Sequence, residues 1–146
     1  MGWTFSTFEE ERDNVKTRKR PSHDEDRLEA NCVRWFDIQH KDKQLLMHHS
    51  PNEGNRSERE GARNRKLGTR RGFPDLIFLK SNKYFDYLAI ELKTPTGRLT
   101  TEQSAYRKVV NESGGCYIII RKFEDFMEAI EQYLQDNDMK IWIKNK

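Results

Sequence analysis

The sequence predicts an α/β fold, a single domain built around a mixed sheet flanked by helices. Three observations lead there. Stretches with apolar residues at helical spacing alternate with short apolar runs, and turn-forming Gly, Pro, Ser and Asn separate them. Two of the runs sit close enough together to pair as a hairpin. The 146 residues suit one ordinary domain, here placed over residues 22–146 behind a polar arm at 1–21.

The arm carries Trp3, Phe5 and Phe8 with no clean period, which suggests a segment packed on a neighbour or on the domain surface. Ser22 and Glu25 form a capping box that opens a helix reaching about Lys41, with Leu28, Cys32, Trp35 and Phe36 as its apolar stripe. Gln44–His49 is a short strand candidate ended by Ser50-Pro51-Asn52. Ser57 and Glu60 begin a second, mostly polar helix that Gly68 is placed to end. Asp75–Leu79 and Tyr87–Lys93 then form the hairpin around Ser81-Asn82-Lys83.

Thr94-Pro95-Thr96-Gly97 breaks the chain, and Thr100 with Gln103 caps a helix to about Ser113. Gly114-Gly115 leads into a buried strand, Cys116–Arg121, followed by an amphipathic helix over Phe123–Leu134. Met139–Ile143 reads as a last edge strand or a docked tail.

Composition narrows the function classes. The apolar fraction is 34% and the charged fraction 35%, which implies a thin core under an ionic surface. The longest apolar runs are Leu76–Leu79 and Cys116–Ile120, far below the roughly 20 residues of a membrane helix. No apolar leader opens the chain, so the expectation is a soluble intracellular protein. Two cysteines, Cys32 and Cys116, supply neither a disulfide framework nor a Cys-based zinc site.

Net charge is only +3, but its distribution is uneven. Arg56, Arg59, Arg63, Arg65, Lys66, Arg70 and Arg71 crowd one stretch that holds only two glutamates. Such a stripe suits a phosphate backbone, or else it is simply a solvated helix face.

The chemistry concentrates in Gly72-Phe73-Pro74-Asp75 and Ile90-Glu91-Leu92-Lys93. With Lys83 at the centre of the turn, residues pair as mirror images about it, so Asp75 faces Glu91 with Cβ atoms roughly 5 Å apart. Lys93 lies two residues beyond Glu91 and projects from the same face. Two carboxylates this close repel unless a positive charge joins them. A hard divalent cation does so and leaves positions open for water and phosphate. Lys93 would then orient an attacking water and stabilise the charge of a pentacovalent phosphate. A surface cluster that merely solvates the hairpin is the competing reading. Against it, Glu91 and Lys93 interrupt an otherwise apolar strand.

Pro74-Asp75 followed by Glu91-Leu92-Lys93 resembles the signature of the PD-(D/E)XK nuclease superfamily, whose restriction-endonuclease-like αβββαβ core matches the predicted element order. More narrowly, the chain resembles the VRR-NUC family, the virus-type replication-repair nucleases. The matching pieces are Cys32–Phe36, His49-Ser50-Pro51-Asn52-Glu53-Gly54-Asn55-Arg56, Gly68 to Asp75, Ile90–Thr94, Gly97–Thr100 and Gln103. The resemblance implies Mg²⁺- or Mn²⁺-dependent hydrolysis of DNA phosphodiesters, with Asp75 and Glu91 as metal ligands, the backbone carbonyl of Leu92 as another and Lys93 as catalytic. It implies a cytoplasmic location in a bacterial or phage-infected cell. It also implies a homodimer acting on branched DNA such as four-way junctions, since two-fold symmetry would oppose two sites on two strands. A flap-type endonuclease or exonuclease is the alternative within the enzyme class; outside it stands a non-catalytic nucleic-acid-binding module.

The resemblance further implies a helix glutamate at the metal. Glu25 lies within roughly 30° of the apolar stripe's centre and Glu29 roughly 70° off it, at about 100° per residue. Glu25 is preferred and Glu29 is second. Gln103 resembles the family's glutamine near the active centre and serves equally as a helix cap. Arg56, Arg59, Arg63, Arg70 and Arg71 are the nucleic-acid contacts expected, with Arg98 and Lys108 weaker. His48-His49 lacks the downstream histidine that a His-Asn-His nuclease would need, so one of the pair is expected under the sheet edge and the other toward solvent or DNA. Trp35 and Phe36 are expected in the core.

Overall fold

A computed structural model describes residues 23–51 and 57–146. The N-terminal arm, the Ser22 cap and the stretch holding Arg56 lie outside the described residues. In chain order the elements are α1 (His23–Gln39), a 3₁₀ turn (Lys41–Leu46), β1 (Met47–His49), α2 (Glu58–Lys66), β2 (Leu76–Phe78), β3 (Tyr87–Leu92), α3 (Thr101–Glu112), β4 (Gly115–Ile120), α4 (Phe123–Leu134) and α5 (Met139–Lys144). The four strands form one sheet in the order β1-β2-β3-β4. The first three are antiparallel, and β4 joins β3 in parallel through the α3 crossover. Apart from the inserted α2, this is the αβββαβ arrangement.

The hairpin pairs Leu76 with Ile90, Ile77 with Ala89 and Phe78 with Leu88, the register expected from a turn centred on Lys83. Its connection is a long loop rather than a tight turn. The Asn82 side-chain oxygen accepts from the N–H groups of Tyr84 and Phe85, and its amide donates to the carbonyls of Tyr133 and Asn137. One asparagine therefore shapes the loop and ties it to the end of α4.

Alternation along the strands separates two layers. Leu88, Ile90 and Leu92 join Cys116, Ile118 and Ile120 in the main core with Cys32 and Phe36 of α1 and Phe126, Ile130 and Tyr133 of α4. The opposite face holds a smaller cluster of Ala89, Val110 and Tyr117 under α3. Phe36 is fully buried and Trp35 packs at the core's edge, as expected of them. Cys32 and Cys116 are free and buried, and burial pushes both thiols up to about 12.

Two expectations change and a third is decided. Strand structure in 44–49 is confined to Met47–His49, because Lys41–Leu46 coils into the 3₁₀ turn. Of the two readings of Met139–Ile143 the strand falls and the docked tail holds: α5 docks Met139 and Trp142 into the main core, and Asp138 caps it by accepting from the Lys140 N–H. Both His48 and His49 are exposed, because β1 is the edge of the sheet and Met47 is its inward residue. Among the described residues, no helix is long and apolar enough to cross a membrane.

Candidate active site

The site forms where β2 begins and β3 ends. Pro74 is buried, Asp75 follows it, and the backbone N–H of Ser50 donates to the Asp75 carbonyl at 2.9 Å. The Asp75 carboxylate accepts from the backbone N–H of Leu92 at 2.8 Å, so its side chain reaches across to the strand that carries Glu91. Glu91 and Lys93 are the two charged side chains buried among the described residues, at 1% and 9% exposure. They form an ion pair, Lys93 Nζ to Glu91 Oε1, at 3.2 Å. A buried charge costs several kcal/mol unless it is paired and hydrogen-bonded, so this spot is chemically specialised.

Glu91 has partners on both oxygens. Oε1 also accepts from the Gln103 side-chain amide at 2.5 Å, and Oε2 accepts from the Tyr117 hydroxyl at 3.3 Å. The two readings of Gln103 turn out to be one. Its amide oxygen accepts from the Thr100 N–H at 2.9 Å, completing the capping box, and its amide nitrogen thereby points at Glu91. The start of α3 is in turn pressed against the Asp75 loop at Gly72, where φ is +77°. A Cβ there would stand 2.6 Å from the Glu102 carbonyl carbon and 2.7 Å from the Gln103 nitrogen. Only glycine allows this approach.

Burial, and then the charge of Asp75, raise the Glu91 carboxyl to about 7, against the opposing pull of Lys93 and Tyr117. Burial, with the Glu91 charge, also holds the Tyr117 phenol well above its ordinary range, so it remains a hydrogen-bond donor. Burial raises Glu29 as well; His49 opposes that shift and Asp75 adds to it.

The two helix glutamates go to different places. Glu29 pairs with His49 Nδ1 on β1, within the field of Asp75. Glu25 accepts from the backbone N–H of Thr94 at 3.0 Å, on the Lys93 side of the site. A cleft of about 290 Å³ opens there, lined in part by Glu25, Arg27, Lys93, Thr94, Arg121 and Lys122.

Among the described residues, no three His, Cys, Asp or Glu side chains converge as a ready cation site. The donor set nevertheless fits a hard divalent ion. Asp75 stands close enough to Glu91 for its charge to raise the Glu91 carboxyl, and Mg²⁺ characteristically completes its shell with backbone oxygen and water.

Arg59, Arg63, Arg70 and Arg71 are all exposed, and α2 buries no residue. The Ser57 hydroxyl accepts from the Glu60 N–H, as expected of its cap. Sequence reasoning missed Tyr117 and Arg121. Tyr117 reaches Glu91 from β4 because Ala89 pairs with Tyr117 across the parallel ladder. Its only signal in the sequence was a hydroxyl in an otherwise apolar strand.

Residues 13–122 match the family model of the VRR-NUC domain. A solved structure, that of a VRR_NUC domain protein, superposes with a TM-score of 0.67 at 24% identity, covering 78% of this chain and 90% of that chain. No curated protein sequence matches.

Proposed function

The chain belongs to the VRR-NUC family of nuclease-type domains in the PD-(D/E)XK superfamily, and from that premise we propose that it is a metal-dependent DNA endonuclease. The observation that carries this reading is the buried Glu91–Lys93 pair beside Asp75. A structural hairpin gains nothing from burying those charges, whereas phosphodiester hydrolysis needs them.

The carboxylates of Asp75 and Glu91 and the carbonyl of Leu92 would hold Mg²⁺ or Mn²⁺. When bound, the ion lowers the pKa of water and offsets charge building on the phosphate. Lys93 would orient the attacking water by donating a hydrogen bond to its oxygen and would then donate to the charged phosphate oxygens. The water gives one proton to solvent as its oxygen bonds to phosphorus, the phosphorus bond to the strand's leaving oxygen breaks, and that oxygen takes a proton from solvent. Gln103 and Tyr117 keep the Glu91 carboxylate in one orientation. Glu25 keeps the sequence's preference as the helix carboxylate, while the field of Asp75 favours Glu29. Mn²⁺ titration of Glu25→Gln and Glu29→Gln ranks them, the true ligand losing the larger share of affinity.

Arg56, Arg59, Arg63, Arg70 and Arg71 supply phosphate contacts on the approach to Asp75. The substrate reading is branched DNA cut by a homodimer, and it rests on the family alone. Labelled four-way junction, flap and linear duplex in Mg²⁺ or Mn²⁺, with Asp75→Ala as control, test it. Symmetric junction cutting that is lost in Asp75→Ala is the expected result. Cutting of flaps or ends alone keeps the site and discards the junction. Absence of both cutting and metal binding overturns the nuclease reading.

A further inference from the structure

Immediately after Lys93 the chain turns through Thr94-Pro95-Thr96-Gly97, and this turn converges on one guanidinium. Arg121 Nη1 donates to the carbonyls of Thr94 and Gly97, each at 2.7 Å, with the Pro95 carbonyl at 3.4 Å. The Gly97 N–H donates to the Thr94 carbonyl at 3.1 Å, and the Thr94 N–H donates to Glu25. The turn is thus clamped at the peptides on both sides of Thr94.

It also leans on Lys93. A Cβ added at Gly97 would lie 3.4 Å from Lys93 Cδ and 2.9 Å from Thr94 Oγ1, so the glycine backbone forms a wall beside the lysine stem. Arg121 comes to this place through the sheet. Leu92 pairs with Ile120, and the Lys93 N–H donates to the Ile120 carbonyl at 2.9 Å, which puts Arg121 in register beside Lys93.

We propose that Arg121 is a positioning residue for Lys93: by clamping the 94–97 turn it holds the wall that fixes the lysine ammonium at Glu91. Carbonyl oxygens that converge need a common donor, and a charged guanidinium satisfies several at once. Lysine, a point charge on a flexible stem, satisfies them less well. The consequence for catalysis rests on the nuclease reading, but the clamp itself does not.

The test compares wild type with Arg121→Ala and Arg121→Lys in two ways. First, the metal-free chain is acylated and the modification of Lys93 is followed by mass spectrometry against exposed Lys108. Release of the turn should speed Lys93 modification about tenfold in Arg121→Ala, and less in Arg121→Lys. Second, single-turnover cleavage at saturating DNA and Mn²⁺ should fall about 10–100-fold, the usual cost of losing a supporting partner. Affinities for DNA and Mn²⁺ should stay within about twofold, and added guanidinium ion should restore part of the rate in Arg121→Ala.

Unchanged Lys93 reactivity in both variants overturns the proposal. So does a loss of DNA affinity with the saturated rate intact, which would make Arg121 a phosphate contact. If Arg121→Ala fails to fold, Arg121→Lys carries the same comparison. A wild type that cuts no DNA yet loses Lys93 protection in the variants would keep the clamp and remove the nuclease reading.

Discussion

The two faces of β3 differ in what they meet. Leu88, Ile90 and Leu92 enter the main core, where α1 and α4 cover them with Phe36, Phe126, Ile130 and Tyr133. Ala89, Glu91 and Lys93 alternate onto the opposite face, where the cluster is small and α3 brings Gln103 while β4 brings Tyr117. The first face is mostly hydrocarbon, and its Tyr133 hydroxyl is satisfied by donating to the Lys80 carbonyl at 2.6 Å. The second face buries charge, so each buried oxygen must find a donor. One strand thus carries the main core on one side and the candidate site on the other.

The largest expected effects set the faces against each other. Phe126→Ala in the main core should cost about 3–5 kcal/mol, read from a denaturant midpoint at constant slope. Asp75→Ala should abolish metal-dependent cleavage while costing the metal-free chain far less than Phe126→Ala, because the lost bond to the Leu92 N–H is offset by removal of a charge that resists ionisation of Glu91. Equal destabilisation by the two changes would end the division of labour.

The next effect is one of pH. The Glu91 carboxyl is raised to about 7 from its ordinary 4.5, so between those values the folded chain holds a proton that the unfolded chain has released. Its stabilising contribution is complete below about pH 4.5, declines as pH rises, and is gone above about 7. The metal-free wild type should therefore lose stability across this window relative to Glu91→Gln. Parallel melting curves of the two proteins against pH would contradict that assignment.

Tyr117→Phe removes a single hydroxyl. It should cost about 1 kcal/mol and weaken Mn²⁺ binding by up to about tenfold, measured calorimetrically. Val110→Ala, in the same cluster, should lower stability without touching metal affinity. The smallest structural effect belongs to α2, which contributes nothing buried. Arg59→Ala with Arg63→Ala should leave stability within about 0.5 kcal/mol. The same pair should lower DNA affinity and reduce the salt slope by about 0.9 for each phosphate that is no longer neutralised.

Much of the fold was legible because local patterns carried it. The hairpin register followed from alternation and the turn position, since a slip by one residue would expose Leu76 and Phe78. The capping box at Thr100 and Gln103 and the helix over Phe123–Leu134 were equally local. Gln44–Leu46 misled, and Met139–Ile143 stayed open between a strand and a docked tail, for the same kind of reason. Each is a short segment with only a few apolar residues, where a strand and a single helical turn carry nearly the same signal.

At the candidate site, Asp75, Glu91 and Lys93 could be brought together on paper because a hairpin is a local object. That Gln103 is at once cap and partner of Glu91 could not be read, since no spacing encodes which way a capped amide's nitrogen points. The destinations of Glu25 and Glu29 depended on what β1 and the 94–97 turn set beside α1. Helical angles alone do not contain that information.

The sequence by itself determined the α/β class, the strand pairing that sets Asp75 opposite Glu91, and the basic stretch leading into it. These rest on periodicity, turn chemistry and charge, which neighbouring residues decide among themselves. Tertiary structure alone decided that Tyr117 stands at Glu91 and Arg121 at the turn after Lys93. Both lie on or just past β4, which reaches β3 through a helical crossover, and parallel pairing across that connection is governed by the packing of the whole sheet rather than by any spacing along the chain.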